Sequence, residues 1–230
     1  MNEPITIAFQ VDVISILIIS GLIVALIFYV NHAIKHADPT EKPKGIVLLA
    51  SLFVSAISKL TQDNMGKKTA PNYAPYVGVL TIYLLMSNLS GLFGLNPPTA
   101  NYSVTLTLAL ITVILIQRMS IRSIGFLGYL KSYFEPNPVF FIMNFFGKLA
   151  PLVSMSVRLF GNITSGSIIM LLVYTFTAWV SSLVPVVGAV NFLGPVIAPF
   201  LHLYFDLFIG AIQVFIFISL TTVFIGNEVS

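Results

Sequence analysis

The chain has 230 residues, 57% of them hydrophobic and 8% charged, and its mean hydropathy is +0.97. Soluble domains carry about 25% charged residues, so this composition excludes a soluble globular domain and defines an integral membrane protein. There is no cysteine, which removes disulfides, thiolate metal sites and thiol nucleophiles. The formal net charge of +3 says little by its total; its placement says more.

The first residues hold Glu3 and no basic stretch, so no cleavable leader is expected and the first apolar segment is expected to be retained. That segment, Val13–Val30, is long enough to cross a hydrocarbon core of about 30 Å. A polar linker follows over residues 31–44, with Lys35, Lys42, Lys44, Pro39 and Pro43. In Gly45–Thr61 the apolar residues Ile46, Leu49, Phe53, Ile57 and Leu60 recur every three or four positions, separated by Ser51, Ser55, Ser58 and Lys59. This spacing predicts an amphipathic helix at the membrane surface; a short, poor span is the competing reading. Residues 62–68 form a polar turn around Gly66.

Tyr76–Leu95 is the second predicted span, with Asn88 inside it, and residues 96–99 (Asn-Pro-Pro-Thr) break it. Val104–Gln117 is the third, closed by Arg118 and Arg122. A loop is expected over residues 121–138, which contain Gly125, Gly128, Pro136 and Pro138. Two apolar stretches then exceed any upright span. Val139–Val184 is interrupted only by Lys148, Pro151 and Arg158, and Pro195–Ile225 follows a turn-rich connector over residues 185–194. Helices of such length must bend, tilt strongly or lie partly in the membrane plane.

Of the eleven Lys and Arg residues, six fall between the first and second spans, and Arg118, Arg122, Lys131 and Lys148 cluster after the third. The connectors at residues 96–102 and 185–194 carry none. By the positive-inside rule the N-terminus is outside and, after five spans, the C-terminus is cytoplasmic. Arg158 alone is left deep in the membrane.

An arginine at the centre of a membrane helix costs about 2.5–3.5 kcal/mol on insertion scales. At helical spacing Ser154, Arg158, Gly161, Asn162 and Ser165 share one side, so the charge lies on a stripe of small and polar residues that another helix can approach closely. A snorkelling arginine or a buried structural ion pair would explain the same charge, although its distance from either end of the apolar run argues against snorkelling. On the last helix His202, Asp206 and Gln213 stand at i, i+4 and i+11, with Gly210 beside them. Such a face should meet protein or water rather than lipid. It is either a polar packing seam or a wet path for a proton or ion, for which histidine and carboxylate are the natural relay types.

Other chemistry is not indicated. No phosphate-binding glycine loop ends in Gly-Lys-Ser/Thr, no His/Asp/Glu cluster has metal-ligand spacing, and no Ser/His/Asp constellation is suggested. His32 and His36 lie at the cytoplasmic end of a span and are read as solvated. No metal, cofactor or nucleic-acid partner is expected, and a self-contained enzyme is not.

The run Ser-Val-Arg-Leu-Phe-Gly-Asn-Ile-Thr-Ser-Gly (residues 156–166) closely resembles the arginine motif of subunit a of rotary F-type ATP synthases, bacterial type. Phe-Asp-Leu-Phe-Ile-Gly-Ala-Ile-Gln-Val-Phe-Ile-Phe (205–217) is similar to that family's last-helix motif. Weaker matches occur at 62–66, 83–95 and 101–106, all in the family's order from about residue 45 to the C-terminus. The resemblance implies a non-catalytic stator subunit beside a ring of c subunits, with two offset aqueous half-channels leading ions to and from the ring carboxylates. It places Arg158 opposite those carboxylates as the separator of the channels, Asn162 near the arginine, and Gln213 and Asp206 along the external channel. The peripheral-stalk subunit b, the remaining subunits of the complex and the lipid bilayer are the implied partners.

Departures from the family pattern accompany these matches. Ser167, nine residues after the arginine, stands where Glu or His is frequent, and Asn101 and Asn144 stand at positions often acidic. Asp206 is then the carboxylate left to the outer channel, with His202 one turn away as a partner and water held by Asn101, Asn162, Ser167 and Gln213 as a carrier. Asn144 and Ser154 are the candidates for the cytoplasmic half-channel.

The expected architecture is an all-α integral membrane protein with about five spans, an interfacial amphipathic helix and two very long tilted helices forming a near-horizontal hairpin against the c-ring. Protons are expected over sodium. A bacterial plasma membrane is the expected location, with the mitochondrial inner membrane as the alternative. A secondary transporter with a midplane arginine, or a structural membrane scaffold, are the competing functions. The transporter predicts paired interrupted helices from an internal repeat, and none is visible in the sequence.

Overall fold

The computed structural model describes residues 11–38, 42–183, 191 and 193–228, with side chains from residue 13 onward. Most of the connector at 185–194 and the N-terminal residues before the first span lie outside the described residues. Within them the fold is all-α with no strand, and five helices are long and apolar enough to cross a membrane. That is the solution hydrocarbon permits, because a helix satisfies its own backbone N–H and C=O groups without water.

Helix α1 covers Val11–Lys35 and α2 covers Gly45–Leu89. The α2 helix is broken at Gly66, whose φ of 74° and ψ of 158° belong to a backbone region that essentially only glycine occupies. Before the break, Ile57 is buried and Phe53 and Leu60 pack on the core, while Ser51, Ser55 and Lys59 are exposed. Leu49, on the apolar side read from the spacing, is exposed on the chain's surface. The sequence places the second span from Tyr76; the helix restarts directly after Gly66 and runs through Pro71 and Pro75. It ends in a 3₁₀ turn at Ser90–Phe93. After Pro97 a second short turn, Pro98–Ala100, leads into α3, Tyr102–Lys131.

The loop expected over residues 121–138 is corrected by this structure. The α3 helix continues to Lys131, broken only at Gly125 with φ 75° and ψ 164°, nearly the geometry of Gly66. The segment after Gly125 stays helical because its polar groups find tertiary partners. The Lys148 ammonium sits over the Tyr129 and Tyr133 rings at 4.1 and 4.2 Å and donates to the Ser132 hydroxyl at 2.6 Å. Gly66 and Gly125 therefore mark single-residue breaks within helical segments.

Helix α4, Phe141–Ser182, has 42 residues, about 63 Å at 1.5 Å per residue. The last apolar stretch is a composite of α5 (Gly194–His202), a π-helical segment (Leu203–Ile209) and α6 (Gly210–Asn227). Helix α2 packs most extensively on α6, and α3 on α4. The core joins them through Ile57, Val77, Leu80 and Leu84 of α2, Ala109 of α3, Met155 and Leu159 of α4, and Val214, Phe217 and Ile218 of α6.

Candidate functional site

Buried polar residues in these helices fall into two sets. Thr61, Thr81, Ser156 and Thr221 turn their hydroxyls back to carbonyls four residues earlier, so each is satisfied within its own helix. Asn88 and Gln213 instead reach across helices. Asn88, buried in α2, donates through Nδ2 to the Gly210 carbonyl at 3.0 Å and accepts from the Thr99 hydroxyl at 3.0 Å. Gln213, 3% exposed, donates through Nε2 toward the Arg158 carbonyl at 3.4 Å. Together they tie α2, the Pro98–Ala100 turn, α4 and α6 around one place.

At that place is a cavity of about 40 Å³, lined on its polar side by Asn88, Asn162, Ser167, Asp206 and Gln213. A water needs roughly 10–15 Å³ of such space and two to four polar partners, so the cavity suits a few ordered waters and no large ligand. Two glycines make the close approach possible. A Cβ on Gly210 would lie 3.2 Å from Asn88 Cβ, and one on Gly91 would lie 3.4 Å from Asp206 Oδ2.

Behind the cavity stands a polar pair. His202 Nδ1 is 2.6 Å from Asp206 Oδ2, and the Tyr174 hydroxyl of α4 is 3.1 Å from His202 Nε2. An ionised carboxylate accepts from Nδ1–H, and in that tautomer Nε2 is the acceptor for the tyrosine hydroxyl. The wheel drawn from sequence puts His202, Asp206 and Gln213 on one face. In the structure only Asp206 and Gln213 line the cavity, and His202 faces Tyr174. The segment Leu203–Ile209 between them is π-helical, and His202 and Asp206 stay in contact across it.

The other expected residues are distributed more widely. Asn162 and Ser167 line the cavity. Asn101 does not; it caps α3, accepting from Ser103 N at 3.0 Å. Asn144 donates to the carbonyls of Tyr133 and Glu135 at 3.1 and 2.8 Å, in the turn between α3 and α4. Ser154, Arg158, Asn162 and Ser165 are all exposed on the chain's surface, while Met155, Ser156 and Leu159 carry the buried side of α4. A Cβ on Gly161 would meet nothing within 4 Å. Among the described residues no acidic group pairs with the Arg158 side chain.

Sequence reasoning missed the roles of Asn88, Thr99 and Tyr174. An uncharged amide in the middle of an apolar span was a usable signal for Asn88, since such a group seeks a partner across helices. For Tyr174, one tyrosine among many aromatics, there was none.

These features define a class: a polytopic all-α membrane protein with a small polar cavity between its helices and an arginine displayed on the chain's surface. Residues 13–226 match the family described as ATP synthase A chain. The chain is 33% identical over 229 residues to ATP synthase subunit a of Mycoplasma pneumoniae, covering 92% of this chain and 76% of that one. It is 36% identical over 174 residues to the protein named ATP synthase subunit a, sodium ion specific, of Propionigenium modestum, covering 68% and 54%. A subunit a from Moorella thermoacetica is 30% identical over 188 residues, covering 81% and 78%. The chain belongs to the ATP synthase subunit a family. It is a multi-pass, ion-translocating component of that complex.

Proposed function

We propose that this chain is the stator subunit that carries protons to and from a rotating ring of c subunits through two half-channels. The observation that carries the reading is the placement of Arg158. It is exposed on a stripe of small and polar residues of α4, has no acidic partner among the described residues, and lies in an apolar span. A charge in that setting needs an opposite charge, and here one has to come from another chain. A ring carboxylate supplies it. A fixed cation favours the ionised carboxylate, so each arriving site gives up its proton, and the same charge keeps the two half-channels from joining. One proton crossing 100 mV yields about 2.3 kcal/mol, the drive available for rotation.

The outer half-channel runs through the cavity bounded by Asn162, Ser167, Asp206 and Gln213. The cytoplasmic half-channel lies on the other side of Arg158, past the exposed Ser154, with Asn144 shaping its mouth. The residues before Gly66 form the interfacial helix, and α4 with the α5–α6 composite forms the tilted hairpin against the ring. Subunit b and the rest of the complex hold the chain against rotation. The membrane is a bacterial plasma membrane, with the N-terminus outside and the C-terminus in the cytoplasm.

The test is ATP-driven acidification of inverted membrane vesicles carrying the whole complex with Arg158→Ala. Coupled pumping is expected to disappear while the complex still assembles. Normal pumping by an assembled Arg158→Ala complex would refute the reading.

A further inference from the structure

We propose that Tyr174 is a proton-relay residue, the first group of a Tyr174–His202–Asp206 wire that feeds the polar cavity from the end of α4 remote from Arg158. The proposal rests on the outer half-channel reading above and extends it to a residue that reading does not use.

Three observations support it. The contacts are continuous: hydroxyl to Nε2 at 3.1 Å, then Nδ1 to Oδ2 at 2.6 Å, and Asp206 itself lines the cavity. The direction is right. Tyr174 lies seven residues beyond Ser167 in α4, about 10 Å further along the helix, toward the connector that carries no basic residue. The anchor is independent of the wire. Asn191, between α4 and α5, donates to the Thr177 hydroxyl at 3.2 Å and toward the Tyr174 carbonyl at 3.5 Å, while its Oδ1 accepts from Gly194 N at 2.8 Å. One side chain thus fixes the backbone that presents the tyrosine and the start of the helix that presents the histidine.

The proton balance closes without any other reactant. The Tyr174 hydroxyl proton passes to His202 Nε2 as tyrosine takes a proton from water on its outer side. The Nδ1 proton then moves to the Asp206 carboxylate, leaving the ring neutral and protonated on Nε2. Asp206 hands its proton to cavity water. A flip of the His202 ring then turns Nε2–H toward Asp206 and the bare Nδ1 toward Tyr174, a second proton passes in the same way, and a second flip restores the starting state. No bond other than O–H and N–H forms or breaks.

The experiment measures passive proton conduction through membranes stripped of the catalytic sector, in H₂O and D₂O, with assembled subunit a quantified in the same membranes. Tyr174→Phe is expected to lower conduction about tenfold at normal assembly and to raise the H/D ratio. Loss of active complex alone would leave that ratio unchanged. Tyr174→Gln keeps a hydrogen bond to Nε2 but cannot exchange a proton, so it should conduct as poorly. In a His202→Gln background Tyr174→Phe should add no further loss, because both act in one path. Normal conduction by Tyr174→Phe, recovery by Tyr174→Gln, or fully additive losses would each overturn the wire. Arg158→Ala assayed for ATP-driven pumping in parallel separates the two readings: if it pumps normally the half-channel reading fails, whatever Tyr174 does.

Discussion

Gln213 of α6 reaches the backbone carbonyl of Arg158 on α4, 3.4 Å away, so the two motifs of the chain meet through a side chain and a main chain. The arginine's own side chain remains free to face outward. Gln213 therefore fixes where the arginine stands without neutralising it. Gln213→Leu removes a buried donor worth about 1 kcal/mol and loosens α4 at Arg158. Coupled acidification should fall severalfold yet stay above that of Arg158→Ala, measured in the same inverted vesicles at equal assembly.

Asn88 holds a buried junction whose partners are 11 and 122 residues away in sequence. Asn88→Leu leaves the Gly210 carbonyl and the Thr99 hydroxyl without this partner, a loss of about 1–3 kcal/mol. Asn88→Asp keeps the acceptor for Thr99 but loses the donor to Gly210. Thermal unfolding of the detergent-solubilised complex should rank wild type above both variants.

Gly226 of α6 crosses α2 so closely that a Cβ there would lie 2.1 Å from the Asn64 carbonyl oxygen, a backbone atom. The neighbouring bond from Asn64 Nδ2 to the Thr222 hydroxyl, 2.9 Å, holds the crossing. Gly226→Ala must push the helices apart, at a cost of about 1–3 kcal/mol or more. Reduced amounts of assembled subunit in membranes, read by immunoblot, are expected. Gly21→Ala, whose Cβ would meet nothing within 4 Å, should assemble normally.

Gly66 and Gly125 share a backbone conformation with φ near 75°, and a Cβ at either would meet nothing within 4 Å. Substitution there acts through backbone strain alone, on the order of 1–3 kcal/mol. Gly66→Ala and Gly125→Ala should each lower the midpoint of thermal unfolding despite the open space, while Gly147→Ala on α4, with helical backbone and equal space, should not. Equal midpoints for all three would contradict the strain account.

What could be read directly was local. Runs of apolar residues compared with the bilayer thickness define an all-α membrane protein, and the stretches around Arg158 and Gln213 point to the subunit a family, because hydropathy, helical spacing and short motifs are properties of contiguous residues. The exposure of the Ser154–Arg158–Asn162–Ser165 side of α4 agrees with a stripe read from spacing alone. Tertiary structure decided which polar groups meet. Asn88 joins Gly210, Gln213 joins the Arg158 carbonyl and Tyr174 joins His202 across 122, 55 and 28 residues, and no helical wheel contains such pairings. It also decided that Asn101 caps α3 and that Asn144 bonds the carbonyls of the turn before α4. Most of all it decided the register of the last helix. The turn at Leu203–Ile209 is π-helical, a wider turn than the α-helix assumed from sequence, and packing against α4 sets His202 on Tyr174 while Asp206 and Gln213 line the cavity.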